Sequence, residues 1–149
     1  MIYREKSIFV GMELTAKIIQ KYNSKSVSEL IKICQRHFNQ YIRNRDKGQP
    51  CINCGKLREL QAGHFYPTST HSHLRFHEDN TNGECLQCNY FNSQSHSYGY
   101  AVNLRKKIGE ERMQTLEQLA SRKIGFKWDR FTLIEKIEHY KNLNKNFAD

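Results

Sequence analysis

The chain has 149 residues, 38% apolar and 26% charged, with 24 Lys and Arg against 15 Asp and Glu, a formal charge of +9. That length suits one domain with a modest core, and the positive excess favours a polyanionic partner, most simply nucleic acid, over a merely solvated surface. No apolar run approaches the roughly 20 residues that span a bilayer, and "MIYREKSIFVGM" carries charges where a signal peptide needs a continuous apolar stretch, so a cytoplasmic protein with no membrane partner is expected.

Residues 7–22, "SIFVGMELTAKIIQKY", read as a strand followed by a helix, or as one irregular helix. The segment 26–46 is clearer. Ser26 caps a helix with Glu29 three residues on, the pattern of a capping box. Leu30, Ile33, Cys34, Phe38, Tyr41 and Ile42 recur at three and four and define its apolar face. Cys34 belongs to that stripe and reads as core. Arg36, Arg43 and Arg45 lie off it, where phosphate contact and plain solvation are both open. "DKGQP" then breaks the helix. "LQAGHFYP" and "HLRFHED" are expected as two short strands joined by the polar loop "TSTHSH", with "NYFNSQS" beginning a short helix. Residues 100–123 form a helical region interrupted at Gly109. Residues 129–147 form an amphipathic helix that buries Phe131, Ile134, Ile137, Tyr140 and Leu143.

Four of the five cysteines fall in two pairs, Cys51/Cys54 and Cys85/Cys88. A two-residue gap lets both sulfurs of a pair turn inward on a tight knuckle. Two knuckles supply the closed tetrahedral set of a structural zinc site, one Zn²⁺ per chain. A redox role needs only one pair, and two disulfides need an oxidising compartment. Four thiolates and one Zn²⁺ still leave a positive excess. Such a site does no chemistry. It pins residues 55–84 as an excursion whose two ends meet. His64, on the first expected strand, Asn80, five residues before Cys85, and Asn89, directly after Cys88, are the polar residues that this frame does not explain.

That order and spacing resembles the HNH nuclease motif. More narrowly, "FNQYIRNRDKGQPCINCG", "AGHF", "LRFHEDNTNGECLQCN" and "LRKKIGEE", within about residues 35–117, resemble the NinG/Rap family of lambdoid phage recombination endonucleases. The resemblance implies an α+β fold: a zinc-stabilised ββα-metal core with flanking N- and C-terminal helices. The chain then divides into an N-terminal helical region (1–46), the zinc-bound core (47–98) and a C-terminal helical region (99–149), all within one domain. It also implies Mg²⁺- or Mn²⁺-dependent hydrolysis of DNA, on branched recombination intermediates such as Holliday junctions or D-loops, in the cytoplasm of the bacterial host.

In that reading His64 is the general base. Asn80 orients the His64 ring or holds the hairpin loop. Asn89 offers a hard oxygen to the divalent ion, with His64 at the same metal site. One departure is Gly63, which stands where many HNH enzymes place a second metal ligand. His77, Asp79, Ser93 and His96 are the substitutes considered. Arg43, Arg45, Arg75, Arg105, Lys106 and Lys107 are the candidate DNA contacts. His71, His73 and His77 read as solvated loop histidines, and Tyr66, Tyr90 and Phe91 as packing residues. A homodimer would set two sites against a junction. The competing expectations are a non-catalytic zinc-knuckle nucleic-acid-binding module and a phage structural protein.

Overall fold

In the computed structural model, which describes residues 14–91, 97–122 and 125–148, the Ser26 capping box forms as its spacing predicts. Ser26 Oγ accepts from the Glu29 N–H, and the Glu29 carboxylate accepts from the Ser26 N–H. The helix they start, α2 (Val27–Arg45), follows a short α1 (Ala16–Lys21). The strand considered within residues 7–13 lies outside the described residues. α2 buries Leu30, Cys34, Phe38 and Ile42. This stripe packs on α5 (Arg130–Lys145), where Phe38 meets Tyr140 edge-on with ring centroids 5.0 Å apart. Burial pushes the Cys34 thiol up to about 12, as befits a core residue. α5 buries Leu133, Ile134, Ile137 and Tyr140. Phe131, expected inside, is 54% exposed, because Leu133 takes the inward position.

The sheet has two antiparallel strands, β1 (Leu60–His64) and β2 (Thr81–Cys85). β1 falls where the sequence places it, and β2 does not. "HLRFHED" is a 3-10 turn and loop rather than a strand. The reason is visible in its two apolar residues. Leu74 enters the core formed with Tyr100, Leu104, Met113 and Leu116, whereas Phe76 enters the core of α2 and α5. A strand facing one core could not divide them so.

The register pairs Leu60 with Cys85, Ala62 with Gly83 and His64 with Thr81. Period-two alternation therefore puts Leu60, Ala62 and His64 on one face, and Gln61, Gly63, Asn82 and Glu84 on the other. Gly83 is glycine for a packing reason. A Cβ there would meet Leu60 Cδ1 at 2.6 Å and Asp46 Cβ at 3.0 Å. Asp46, the C-cap residue of α2, instead accepts the Gly83 N–H at 2.8 Å and fixes the hairpin to the helix.

After β2 comes a π-helical turn (Gln87–Phe91), then α3 (Ser97–Ile108) and α4 (Glu110–Ser121). Gly109 separates the last two with φ of +83°, a backbone region that glycine enters without penalty. Tyr100 of α3 is fully buried and donates to the Gly63 carbonyl at 2.7 Å, tying α3 to β1. Among the described residues, no helix is long and apolar enough to cross a membrane.

Candidate active site and metal centre

Each knuckle is shaped by its own backbone. Gly55, with φ of +70°, turns the chain so that its N–H reaches the Cys51 carbonyl at 2.9 Å. The Ile52 N–H donates to the Gly83 carbonyl at 2.9 Å, and the Cys85 N–H points at Cys51 Sγ, 3.2 Å away. The four sulfurs of Cys51, Cys54, Cys85 and Cys88 lie within 4.8 Å of one another, with Cys54 and Cys85 3.9 Å apart. A tetrahedral zinc with Zn–S bonds of about 2.3 Å sets its sulfurs about 3.8 Å apart. The cluster therefore fits a metal ion such as zinc. Burial pushes the Cys51 and Cys88 thiols up. Burial acts the same way on Cys54, but the Lys56 N–H and the neighbouring thiols outweigh it and hold that thiol low. Four sulfurs this close ionise together only around a cation.

His64 ends β1 at the far end of the hairpin from the cysteines. Its Nε2 lies 2.8 Å from the Arg75 carbonyl. A carbonyl only accepts, so Nε2 carries the proton and Nδ1 of the neutral ring keeps its lone pair. Burial holds this imidazole below the usual histidine range and outweighs the Arg75 carbonyl, which favours the charged form.

Asn80 is fully buried and its carboxamide is fully engaged. Oδ1 accepts from the Tyr66 N–H at 2.8 Å, and Nδ2 donates to the Tyr66 and Leu74 carbonyls at 3.1 and 3.2 Å. Of the two roles expected for Asn80, these bonds match loop-holding. Both N–H groups of its side chain and its oxygen are spent inside the loop, so Asn80 acts by holding that loop and not by touching substrate. It braces both ends of the loop whose Arg75 anchors His64. Asn89 lies on the π-helical turn at the cysteine end, half-buried, and its carboxamide makes no hydrogen bond among the described residues. His64 and Asn80 thus share a corner, and no bond joins Asn89 to them.

Sequence reasoning missed Glu84. A Cβ at position 63 would sit 2.9 Å from Glu84 Cβ and closer still to Glu84 Oε2. The Glu84 carboxylate therefore occupies the space that a side chain at Gly63 would need. It is 1% exposed, and its Oε1 accepts from Asn53 Nδ2 at 3.3 Å. The signal was a diagonal cross-strand pair, readable only once the register is known. Of the substitutes considered for Gly63, Asp79 is committed to a two-pronged pair with Arg112. His77 lies half-buried in the loop before Asn80. Ser93 and His96 lie outside the described residues.

The candidate DNA contacts divide. Arg45 and Lys107 are both tied to Asp46, which commits their charges within the fold although neither is sealed from solvent. Arg45 grips Asp46 with two bonds of 2.8 Å and reaches the Glu78 and Thr81 carbonyls, and Lys107 Nζ bonds Asp46 and Asn82, both at 2.9 Å. Arg105 is paired with Glu110 and Glu117. Lys106 is exposed, and Arg43 and Arg75 stand on the α2 side of the molecule. The loop histidines are not simply solvated, since His73 Nε2 lies 2.9 Å from the Leu119 carbonyl. Tyr66 packs beside Phe65 as expected, whereas Tyr90 is 75% exposed and the Phe91 side chain lies outside the described residues.

No solved structure matches the chain. "Protein ninG" of Escherichia phage lambda is 39% identical over 101 residues, covering 66% of this chain and 49% of the relative. "Protein ninG" of Salmonella phage P22 is 38% identical over 101 residues, with coverages of 66% and 49%. The chain spans about half the length of these curated relatives. The family model described as "Bacteriophage Lambda NinG protein" matches residues 11–149, and the chain therefore belongs to the NinG family.

Proposed function

We propose that the chain is a divalent-metal-dependent endonuclease of the HNH type, hydrolysing DNA phosphodiester bonds in branched recombination intermediates such as Holliday junctions or D-loops. The observation that carries this reading is the anchored imidazole of His64. Its Nε2–H is held by the Arg75 carbonyl, so Nδ1 is the atom that takes a proton from the attacking water. A ring kept neutral by burial holds that lone pair ready near pH 7. Asn80 is the positioning residue, since it fixes the loop that carries Arg75. The two-stranded hairpin and the helical turn after the second knuckle support reading this unit as a ββα-metal core. A zinc ion bound by all four thiolates has no open position and serves the fold alone.

Mg²⁺ or Mn²⁺ would take hard oxygen donors from the chain, with the Asn89 carboxamide oxygen and the Glu84 carboxylate as the candidates. The register sets Glu84 on the hairpin face opposite His64, so His64 serves as the base and not as a ligand of that ion. Hard oxygen donors suit these ions, and Glu84 supplies over Gly63 the carboxylate that position 63 lacks. Bound beside the scissile phosphate, the ion would offset charge developing on the phosphoryl oxygens. The formal charge of +9 supports a polyanionic substrate. The preference for branched DNA, and a homodimer to address it, come from the family resemblance.

A second reading, a non-catalytic zinc-knuckle nucleic-acid-binding module, draws on the lack of any bond between Asn89 and His64. Incubating the protein and its His64→Ala variant with a four-way junction, linear duplex and single strands, each with Mg²⁺ or Mn²⁺, separates the two. Junction cleavage lost in the variant supports the enzyme. Binding without cleavage by either protein leaves only the module.

A further inference from the structure

The face of α2 turned away from the core lines an open groove of about 420 Å³. Lys32, Arg36 and Arg43 lie along the helix at this groove, and Arg75 faces them from the loop after β1, with Gln35 and Asn39 between. Arg75 Nη1 donates to Gln35 Oε1 at 3.2 Å, and Gln35 Nε2 donates to Asn39 Oδ1 at 2.7 Å, so the floor is a connected row of polar groups. Among the described residues, none of the four cations has a carboxylate partner. Lys21, Lys25, Arg45, Arg105, Lys107, Arg112 and Lys141 all do. Other basic residues, such as Lys47, Lys56 and Lys106, are also without a carboxylate among the described residues, but they are scattered, whereas these four line one groove.

We infer that this groove is the track for the DNA phosphate backbone, and that it delivers the strand to His64. From Lys32 to Arg43 the helix rises about 16 Å at 1.5 Å per residue. One strand of a duplex presents a phosphate every 3.4 Å or so along the axis, so several phosphates meet the row at once. The groove and the site share Arg75. Arg75 lines the groove with its guanidinium, and the carbonyl of the same residue holds Nε2 of His64. A backbone lying on Arg75 is therefore one residue from the imidazole. The contacts are to phosphates, so the groove positions DNA without reading its sequence. This inference rests on the nucleic-acid reading above, and it adds the residues and the path.

The test uses the His64→Ala protein, which binds without cutting, and a variant that adds Lys32→Gln and Arg36→Gln. Both of these side chains are exposed and make no hydrogen bond among the described residues, so folding is checked simply by zinc content and a thermal melt. Fluorescence anisotropy with a labelled 30-base-pair DNA duplex is read across a salt series. Removing two phosphate contacts lowers the slope of log affinity against log salt by about 1.8, and weakens binding at 0.15 M salt about 30-fold. An unchanged slope in a folded variant overturns the groove while leaving the DNA reading intact. It would do so most plainly if Lys106→Gln lowers the slope instead. Absence of salt-dependent binding by the parent protein overturns the DNA reading itself. Tighter binding to an RNA duplex of the same sequence overturns the commitment to DNA.

Discussion

Exchanging Gly63 and Glu84 tests the reading of the missing side chain most directly. In Gly63→Asp, the new Cβ must come within 2.9 Å of Glu84 Cβ, well inside the 3.5–4.0 Å or so of a carbon–carbon contact. Relief requires Glu84 to swing away and give up the Asn53 amide. Overpacking of this kind costs about 1–3 kcal/mol. The second carboxylate adds repulsion at a site where Glu84 is already almost sealed from water. Gly63→Asp is therefore expected to lose about 3 kcal/mol in urea unfolding at pH 7, and Gly63→Ala, which adds volume without charge, about half of that. The crowded pair raises the folded-state pKa of one carboxylate above its unfolded value. That part of the deficit shrinks below pH 4 and grows as pH rises through the raised folded value. Glu84→Gly alone loses the Asn53 bond and stiffens nothing in return. The double variant Gly63→Asp/Glu84→Gly puts one carboxylate back into one space. It is expected to recover at least 1 kcal/mol over the sum of the single effects, and to keep Mg²⁺- or Mn²⁺-dependent cleavage. A Gly63→Asp protein within 0.5 kcal/mol of the parent, or a double variant whose losses simply add, would refute the reasoning.

Asp46→Asn strips the carboxylate from Arg45 and Lys107 and weakens the Gly83 anchor. Because both cations are partly exposed, the loss is expected at the low end for a buried pair, about 3 kcal/mol by chemical denaturation. Asn80→Ala orphans the Tyr66 N–H and two loop carbonyls. Stability should fall by about 2–3 kcal/mol, and cleavage by more than the unfolded fraction accounts for. The pH profile of cleavage should show an acidic limb below the ordinary histidine value of about 6.5, because burial lowers the His64 pKa. The same shift makes the folded form bind fewer protons, so stability from His64 is full above the unfolded pKa and is lost as pH falls through the folded one. An acidic limb displaced above 6.5 would contradict this environment.

The elements legible in the sequence are those whose pattern is local. The α2 capping box and stripe, the break at Gly109 and the two knuckles follow from residue spacing alone, and β1 follows from its place between the cysteine pairs. β2 was not legible, because Thr-Asn-Gly-Glu-Cys contains poor strand formers. Its extended state is imposed from outside. Asp46 holds the Gly83 N–H, Arg45 reaches the Thr81 carbonyl, and the second knuckle fixes Cys85. "HLRFHED" imitated a strand because Leu74 and Phe76 alternate, and only the tertiary structure shows that they serve different cores. At the site, His64 stood out by its place between the cysteine pairs. Glu84 and the ties of Arg45 and Lys107 within the fold depend on pairing and on long-range bonds that spacing does not encode.

The same register argument links the cysteine cluster to the imidazole, although no bond joins them. Cys85 pairs with Leu60 at one end of the hairpin, and His64 pairs with Thr81 at the other. Four residue steps, about 13 Å of strand, separate the two. A slip of one residue would turn each β2 side chain to the opposite face. The Asp46–Gly83 bond would then break, and Thr81 and Asn80 would leave the loop that holds Arg75. Two short strands lack the pairing energy to hold such a register alone. The cluster holds one end and Asp46 the middle, so His64 inherits its orientation from both. Stripping metal with a chelator, or substituting Cys85→Ser, should therefore move the His64 imidazole resonance before the α2–α5 core melts. If that core and the His64 resonance are lost in a single step, the hairpin draws its register from the helices, and the cysteines do not act on the imidazole at all.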